Sequence, residues 1–299
     1  MSNWIWIAIA GYSFFAFNSI TDKILLSTAV KRPYVYVFFN GFLASCVLVL
    51  IPFGVHWVSW PIFFLSLFGG SCFTAALYFY YTAVQRVSIS RIQPIQGGLI
   101  PLFTLLLSVI LLKEGLTNIE YLAFAFLTTG AVLISIKKTE GKLQLPALNY
   151  SIVAAFLFAL HFVISKIVFD KVGFMTGLFW TRWGMFVFAI FMLISPGNRK
   201  EIRQTQNDST RSNRTLFYFS RLCGAAAGIL QNYAIALGNV AIVKALQSVQ
   251  FTFVLIFASI FSLYYPKLIK ETITRNILVQ KVIAIALVVV GLTILTFSN

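Results

Sequence analysis

Acidic side chains are scarce in this chain. Only eight of its 299 residues are Asp or Glu, against 23 Lys and Arg, and charged residues make up 10% of the sequence. Soluble domains carry about 25% charged residues, so this composition excludes a soluble protein. The chain has three cysteines and two histidines, and neither type shows the spacing of metal ligands. We therefore expect buried cysteines, no metal, no cofactor and no enzymatic activity.

Long apolar runs are what the chain has in quantity. It is 59% hydrophobic, and a helix needs about 20 apolar residues to cross the hydrocarbon. The runs do not alternate with polar residues, which excludes a transmembrane barrel. The first run lacks the basic segment and cleavage site of a signal peptide, so we interpret it as a retained span. The runs predict an all-α membrane protein with ten transmembrane helices, at about residues 4–26, 33–55, 61–84, 89–112, 119–136, 150–169, 175–195, 216–237, 241–265 and 278–297.

A polar segment inside the first run recurs in the sixth. Residues 16–23 (AFNSITDK) and 159–166 (ALHFVISK) begin and end with the same residue, and Asn18 aligns with His161. Further correspondences follow in the same order, namely Asn40 with Arg182, residues 80–83 with 233–236, residues 113–117 with 270–274, and Gly130 with Gly291. We therefore predict two five-helix repeats, at residues 1–143 and 144–299.

The basic residues indicate that the second repeat is inverted. Five spans are an odd number, so the second copy enters the membrane in the opposite direction. The links after odd-numbered spans hold 14 Lys and Arg, and the links after even-numbered spans hold two. The net charge of +15 therefore reflects basic links that set the orientation of the protein in the membrane, and it does not indicate binding to nucleic acid. The positive-inside rule places both termini outside. Inverted repeats are typical of secondary transporters, whose sites lie at the repeat interface.

At this point the pattern resembles the drug/metabolite transporter superfamily, in particular its EamA-like ten-span branch. The resemblance rests on Lys23 and Lys166 late in spans 1 and 6, on Pro101 in span 4 leading into residues 111–117 (LLKEGLT), and on Gly130 in span 5. It implies a central cavity between spans 1, 3, 4, 6, 8 and 9, with spans 5 and 10 outside. It also implies substrates among amino acids, sugars, nucleotide sugars, phosphorylated metabolites and drugs. Many family members are assigned inside termini, and the second repeat has Val254 opposite Pro101.

Ionisable groups inside the spans are mostly cationic. Such groups are costly in a membrane and indicate function. They are Asp22, Lys23, Arg91, His161, Lys166, Arg182, Arg221 and Lys244. Asp22 is the one carboxylate well within a span, so we expect a substrate with an anionic group, such as a carboxylate or phosphate. Lys23 and Lys166 lie near helix ends, and snorkelling to the interface is their alternative role.

The neutral polar residues of the spans predict the walls of a cavity. Asn18 and His161 would form a pseudo-symmetric pair that either binds substrate or joins helices. The glutamine pairs of spans 4 and 9 each share a helix face. The two tyrosines of span 3 would stack on a substrate or simply pack. The predicted substrate-binding residues are Asn18, Asp22, Lys23, Tyr78, Tyr81, Gln93, Gln96, His161, Lys166, Gln231, Lys244, Gln247 and Gln250.

Together these patterns predict a secondary-active or facilitative transporter of a small polar metabolite, an amino acid or related anion, working by alternating access. Pro94 and Pro101 would give span 4 its flexible points, and proton coupling would involve Asp22 or His161. The alternatives are a non-transporting polytopic protein, such as a receptor or accessory subunit, and an exporter of drug-like compounds. We expect a multi-pass protein of a prokaryotic inner membrane whose partners are the lipid bilayer and a small-molecule substrate. A monomer suffices, and a dimer is the alternative.

Overall fold

The structure, a computed structural model, describes residues 3–28, 33–87, 89–136, 145–194, 197, 199, 211–264 and 275–298. The regular elements in these ranges are all helices. They are α1 Asn3–Thr28, α2 Pro33–Leu43, α3 Trp60–Arg86, α4 Ile89–Leu107, α5 Asn118–Ser135, α6 Leu145–Val172, α7 Phe174–Met192, α8 Arg211–Leu237, α9 Val240–Ala245, α10 Gln247–Tyr264 and α11 Arg275–Ser298. A 3₁₀ segment, Ala44–Phe53, continues α2, and a π-helical turn, Ser108–Leu112, continues α4.

Within the described ranges, seven helical segments are long and apolar enough to cross a membrane. They are Trp60–Arg86, Ile92–Leu112, Asn118–Ser135, Leu145–Val172, Phe174–Met192, Val240–Phe257 and Val279–Phe297. Two shorter apolar segments, Val37–Phe53 and Leu222–Leu237, accompany them. The protein is therefore an all-α, multi-pass integral membrane protein, as predicted. The count of ten spans and the inversion of the repeats stay predictions.

Local sequence signals fix several helix ends. Thr117 accepts a hydrogen bond from the backbone N–H of Glu120, and the Glu120 carboxylate accepts one from the Thr117 backbone, which forms a capping box at the start of α5. Asn239 caps α9 by accepting from the backbone N–H groups of the next turn. Gly173, at a φ of +78°, makes the tight turn between α6 and α7, because glycine adopts positive φ without strain.

The prolines of span 4 lie inside a continuous helix. α4 runs through Pro94 and Pro101, the two predicted flexible points, as one helix. The segment Val240–Phe257 forms one apolar span, and its α-helix is interrupted at the single residue Leu246, between α9 and α10, whose φ of −62° and ψ of −7° remain in the right-handed helical region. Span 2 changes from an α-helix to a 3₁₀ helix in its second half, which contains Pro52 and ends at Gly54, where φ is +91°. Pro52 does not favour an α-helix there, because proline lacks the backbone N–H that an α-helix needs.

Glycines allow two helix pairs to approach closely. A Cβ added to Gly70 of α3 would meet the Thr181 carbonyl oxygen of α7, and one added to Gly184 of α7 would meet the Leu67 backbone of α3. Backbone atoms cannot move aside as a flexible side chain can. Gly70 and Gly184 therefore permit the close approach of α3 and α7.

The crossing of α5 and α11 uses the glycines that align between the halves. A Cβ added to Gly130 would lie 3.1 Å from the Ala284 carbonyl oxygen. One added to Gly291 would lie 3.1 Å from the Ala123 carbonyl oxygen. This pair of helices packs at one side of the bundle, while α1 packs along α8 and α3 packs along α6. The functional residues lie between these last two pairs.

Candidate functional site

Two adjoining cavities lie where α1, α3, α6 and α8 meet. We call the larger one, of about 230 Å³, the amide cavity, because five glutamines of α4, α8 and α10 line it together with a lysine of α9. Its described lining residues are Phe15, Ser19, Phe73, Leu77, Tyr80, Gln93, Gln96, Ile100, Phe158, Phe162, Gln231, Lys244, Gln247, Gln250 and Phe251. These residues come from the regions predicted as spans 1, 3, 4, 6, 8 and 9.

The smaller cavity, of about 140 Å³, extends toward α2 and α7. We call it the arginine cavity, after Arg182. Its described lining residues are Phe15, Asn18, Asn40, Leu43, Ala44, Phe73, His161, Phe162, Arg182, Met185, Gly224, Ala225, Gly228, Gln231 and Asn232. Phe15, Phe73, Phe162 and Gln231 line both cavities, so the two adjoin at these mostly aromatic residues.

Lys244 is the charged residue of the amide cavity among the described residues. Its side chain is buried, at 3% exposure, and its Nζ lies 3.9 Å from the centroid of the Phe162 ring and 5.9 Å from that of Tyr12. Ring faces attract a cation, by up to about 2 kcal/mol where water is excluded. In the described part of the chain, no carboxylate lies within ion-pair distance of this ammonium group. Its positive charge is therefore available to an anion that enters the cavity.

A short hydrogen-bond chain holds the segment that carries Lys244. Gln231 Nε2 donates to Tyr12 Oη at 2.9 Å, and Tyr12 Oη donates to the Val243 carbonyl oxygen at 2.7 Å. The chain joins α8, α1 and α9 and ends at the residue before Lys244. Tyr12 is fully buried and was missed by the sequence reasoning, because a single tyrosine in an apolar run shows no partner in the sequence.

The glutamines of the amide cavity present unused hydrogen-bond acceptors. Gln96 Nε2 donates to the Ser151 carbonyl oxygen at 2.8 Å, which fixes its other amide atom as oxygen. That oxygen is buried and has no hydrogen-bond partner among the described residues, and the same is true of Gln247 Oε1. A buried polar atom left unpaired costs about 1–3 kcal/mol. Because both glutamines line the cavity, rotation of their side chains would turn these acceptors toward an N–H or O–H of a ligand.

The arginine cavity joins Asn18 and His161, as the repeat alignment predicts. His161 Nδ1 lies 2.8 Å from the Gly69 carbonyl oxygen, so this nitrogen carries the proton. The imidazole ring packs against Phe73, with ring centroids 4.8 Å apart. Asn18 Oδ1 accepts from Ser220 Oγ at 2.8 Å. The same cavity therefore contains an amide from α1 and an imidazole from α6.

The comparisons with known proteins match the first part of the chain to one family. Residues 2–136 match the model of the EamA-like transporter family. This part of the chain is EamA-like. The resemblance to the drug/metabolite transporter superfamily is thereby confirmed. A solved crystal structure is similar with a TM-score of 0.69 at 15% identity, over 99% of this chain and 96% of the other, which shows a shared fold. No curated protein matches the chain.

The family that matches residues 2–136 is a family of transporters. In the EamA-like half, the amide cavity receives Gln93 and Gln96 from α4. The second half contributes Gln247, Gln250 and Lys244. Gln250 Nε2 donates to Ser19 Oγ at 3.1 Å, which joins α10 to α1. The glutamines that the sequence paired along the chain are thus brought to one space.

Three predicted residues lie outside both cavities. Lys166 Nζ forms an ion pair with Asp170 at 3.0 Å and donates to the Ala236 carbonyl oxygen at 3.2 Å, so its ammonium binds a carboxylate and the C-terminal end of α8. Tyr78 is 40% exposed on the surface of α3. Tyr81 packs edge-to-face on Tyr80, and Tyr80 is the tyrosine that lines the amide cavity.

Four ionisable residues of the prediction have side chains that lie outside the described residues, namely Asp22, Lys23, Arg91 and Arg221. Conversely, the structure adds Asn40, Arg182 and Asn232 to the site region. Arg182 was already an intramembrane cation in the sequence, and Asn40 was its aligned partner. The charge of Arg182 inside a span and its alignment with Asn40 could together have identified the arginine cavity from the sequence.

Proposed function

We propose that the protein is a secondary-active or facilitative transporter of a small metabolite with an anionic group, most simply an amino acid. One observation carries this proposal, namely the amide cavity. A buried lysine and amide oxygens without partners surround a space inside a bundle of apolar helices. Polar groups inside a membrane bundle are expensive and mark substrate pathways.

The chemistry of the amide cavity supports an amino acid as substrate. The Lys244 ammonium group would bind the carboxylate, because charge-assisted hydrogen bonds are the stronger kind. Gln96 Oε1 and Gln247 Oε1 would accept hydrogen bonds from the ammonium group of the substrate. Pockets for drug-sized ligands measure about 300–1,000 Å³, and the amide cavity is smaller, at about 230 Å³. Its size therefore favours a metabolite over a drug-like compound.

The packing of the helices supports an inverted repeat with boundaries at residues 1–143 and 144–299. In the sequence alignment α1 corresponds to α6, and α3 corresponds to α8. The pair α1 with α8 and the pair α6 with α3 are therefore images of each other, and both pairs pack closely. Ten spans result when α2 includes its 3₁₀ extension, α4 includes its π turn, and α9 and α10 form one span. We infer a multi-pass protein of a prokaryotic inner membrane, sufficient as a monomer.

Alternating access would use the interruption between α9 and α10. Leu246 separates Lys244 from Gln247, and both of these residues line the amide cavity. Discontinuous helices beside the substrate are common in transporters. A bend at Leu246 would change the direction of the Lys244 side chain while α10 keeps its packing against α1. Bending of the helix would then move Lys244 away from the substrate and so release it.

Substrate screening with a matched glutamine variant tests the proposal. Purified protein is heated with single amino acids and carboxylates, and compounds that raise the melting temperature are then assayed for uptake into proteoliposomes. We expect Gln96→Leu to abolish the ligand-dependent shift and uptake. Gln280→Leu is the control, because Gln280 bonds to the Leu133 and Ile136 carbonyl oxygens away from the cavities. Equal loss in both variants, or no uptake of any stabilising compound, would refute the proposal.

A further inference from the structure

Arg182 is an intramembrane cation whose donors are largely unused. A guanidinium group carries five N–H donors in a fixed plane. Its Nη1 lies 3.7 Å from Met185 Sδ, and a thioether is a weak acceptor. Among the residues that the structure describes, no carboxylate lies within ion-pair distance of Arg182. Placing such a group inside a membrane protein is costly and indicates a binding role.

The space around Arg182 is built from neutral polar groups and glycines. Asn18, Asn40 and Asn232 supply amides to the same cavity. Gly228 of α8 leaves room for the guanidinium, since a Cβ there would lie 2.9 Å from Arg182 Nη2. The described walls of this cavity carry positive charge and amide donors but no negative charge. That combination suits a carboxylate, which an arginine binds through two parallel hydrogen bonds.

The position of this cavity makes it part of the transport site. It adjoins the amide cavity across Phe15, Phe73 and Phe162, and Gln231 reaches both. We propose that the arginine cavity is a second anion-binding subsite for the same substrate, which therefore carries two anionic groups. Lys244 binds one group and Arg182 the other. This inference rests on the proposed function, because it assumes that Lys244 binds the first group.

Isosteric ligand pairs test the subsite. Glutamate and glutamine differ in one carboxylate, as do succinate and its monoamide, and each pair keeps nearly the same shape. We expect the dianion of at least one pair to bind the purified full-length protein at least about tenfold more tightly than its amide. Isothermal titration calorimetry measures both affinities, and the readout is their ratio.

Variants then test whether Arg182 causes the difference in affinity between the dianion and its amide. We expect Arg182→Gln to bring the ratio close to one. Asn40→Asp keeps Arg182 but places a carboxylate in the same cavity, so it should also bring the ratio of affinities close to one. This second variant tests the subsite if Arg182→Gln does not fold. Arg86→Gln is the control. Arg86 is exposed and lies over the Tyr150 ring, with 4.7 Å from Cζ to the centroid, away from both cavities.

The outcomes separate this inference from the proposed function. A ratio above about tenfold that falls to near one in Arg182→Gln or Asn40→Asp, but not in Arg86→Gln, supports the subsite. A ratio near one in the unaltered protein overturns it. So does a large ratio that neither variant changes. If monoanions still bind and Lys244→Gln weakens them, the proposed function stands without the second subsite. If none of the four compounds binds, both proposals fail.

Discussion

Replacing Lys244 by methionine should have opposite effects on stability and on substrate binding. The ammonium group is buried at 3% exposure and lies against two aromatic rings. Burying an ion costs several kcal/mol, and the contacts with the rings return up to about 2 kcal/mol. Methionine has similar length and no charge, so it fills the same volume without the desolvation cost. We expect Lys244→Met to be at least as stable as the unaltered protein when no ligand is present.

The loss in binding follows from the hydrogen bond that Lys244 would make to the substrate anion. Hydrogen bonds to charged groups contribute about 1.5–3 kcal/mol. Because 1.4 kcal/mol corresponds to about a tenfold change in affinity, the dissociation constant should rise about 10- to 150-fold.

Thermal melts of the purified protein and calorimetric titration with the substrate measure the two quantities separately. Lys244→Arg retains the charge and should lose less affinity than Lys244→Met. A methionine variant that melts at a lower temperature and binds substrate normally would show that Lys244 is structural, and would refute this reasoning.

Three further predictions concern packing and positioning. Gly70→Ala should destabilise the protein by about 1–3 kcal/mol, because the methyl group meets the α7 backbone, whereas Gly115→Ala, with open space around it, should leave the melting temperature unchanged; equal effects would contradict the close approach. Tyr12→Phe should cost about 1–3 kcal/mol in chemical denaturation, since it removes both hydrogen bonds of the hydroxyl group, and an unchanged stability would contradict that chain. Lys166→Met should lower stability by at most about 1 kcal/mol without changing calorimetric substrate affinity, and a large loss of affinity would return Lys166 to the binding site.

The helices and several cavity residues could be predicted from sequence because their signals are local or repeated. Continuous apolar runs specify membrane helices. The alignment of residues 16–23 with 159–166 placed Asn18 opposite His161, and both line the arginine cavity. The glutamines of spans 4 and 9 stood out because amides are rare in hydrocarbon.

For the predicted residues that line neither cavity, helix rotation and competing partners decided the position. Successive residues of a helix point about 100° apart. The residue types alone therefore do not show which of the neighbouring tyrosines of α3 faces the cavity. Tyr80 lines the amide cavity while Tyr78 is exposed. Lys166 has Asp170 four residues later, a spacing that favours an ion pair on one helix face. That spacing is visible in the sequence and could have predicted the pair.

The interruption at Leu246 had no sequence signal of the usual kind. Proline and glycine are the common causes of sharp changes in helices, and residues 240–250 contain neither. The break lies where α9 is fixed through Val243 by the buried Tyr12 hydroxyl. That contact joins residues 231 positions apart. Tertiary contacts of this kind cannot be inferred from the local sequence.

The central claim is that substrate enters the amide cavity from water, and thiol labelling tests it most directly. The three native cysteines, Cys46, Cys72 and Cys223, are replaced by alanine, and Gln93→Cys adds a single thiol to the cavity wall. Val289→Cys is the control, because Val289 is exposed in the middle of the apolar span Val279–Phe297 and lines neither cavity. In membrane vesicles, a charged thiol reagent should modify position 93 but not position 289, and a transported substrate should slow the reaction. A thiol at position 93 that no reagent reaches from either face of the membrane would contradict the account.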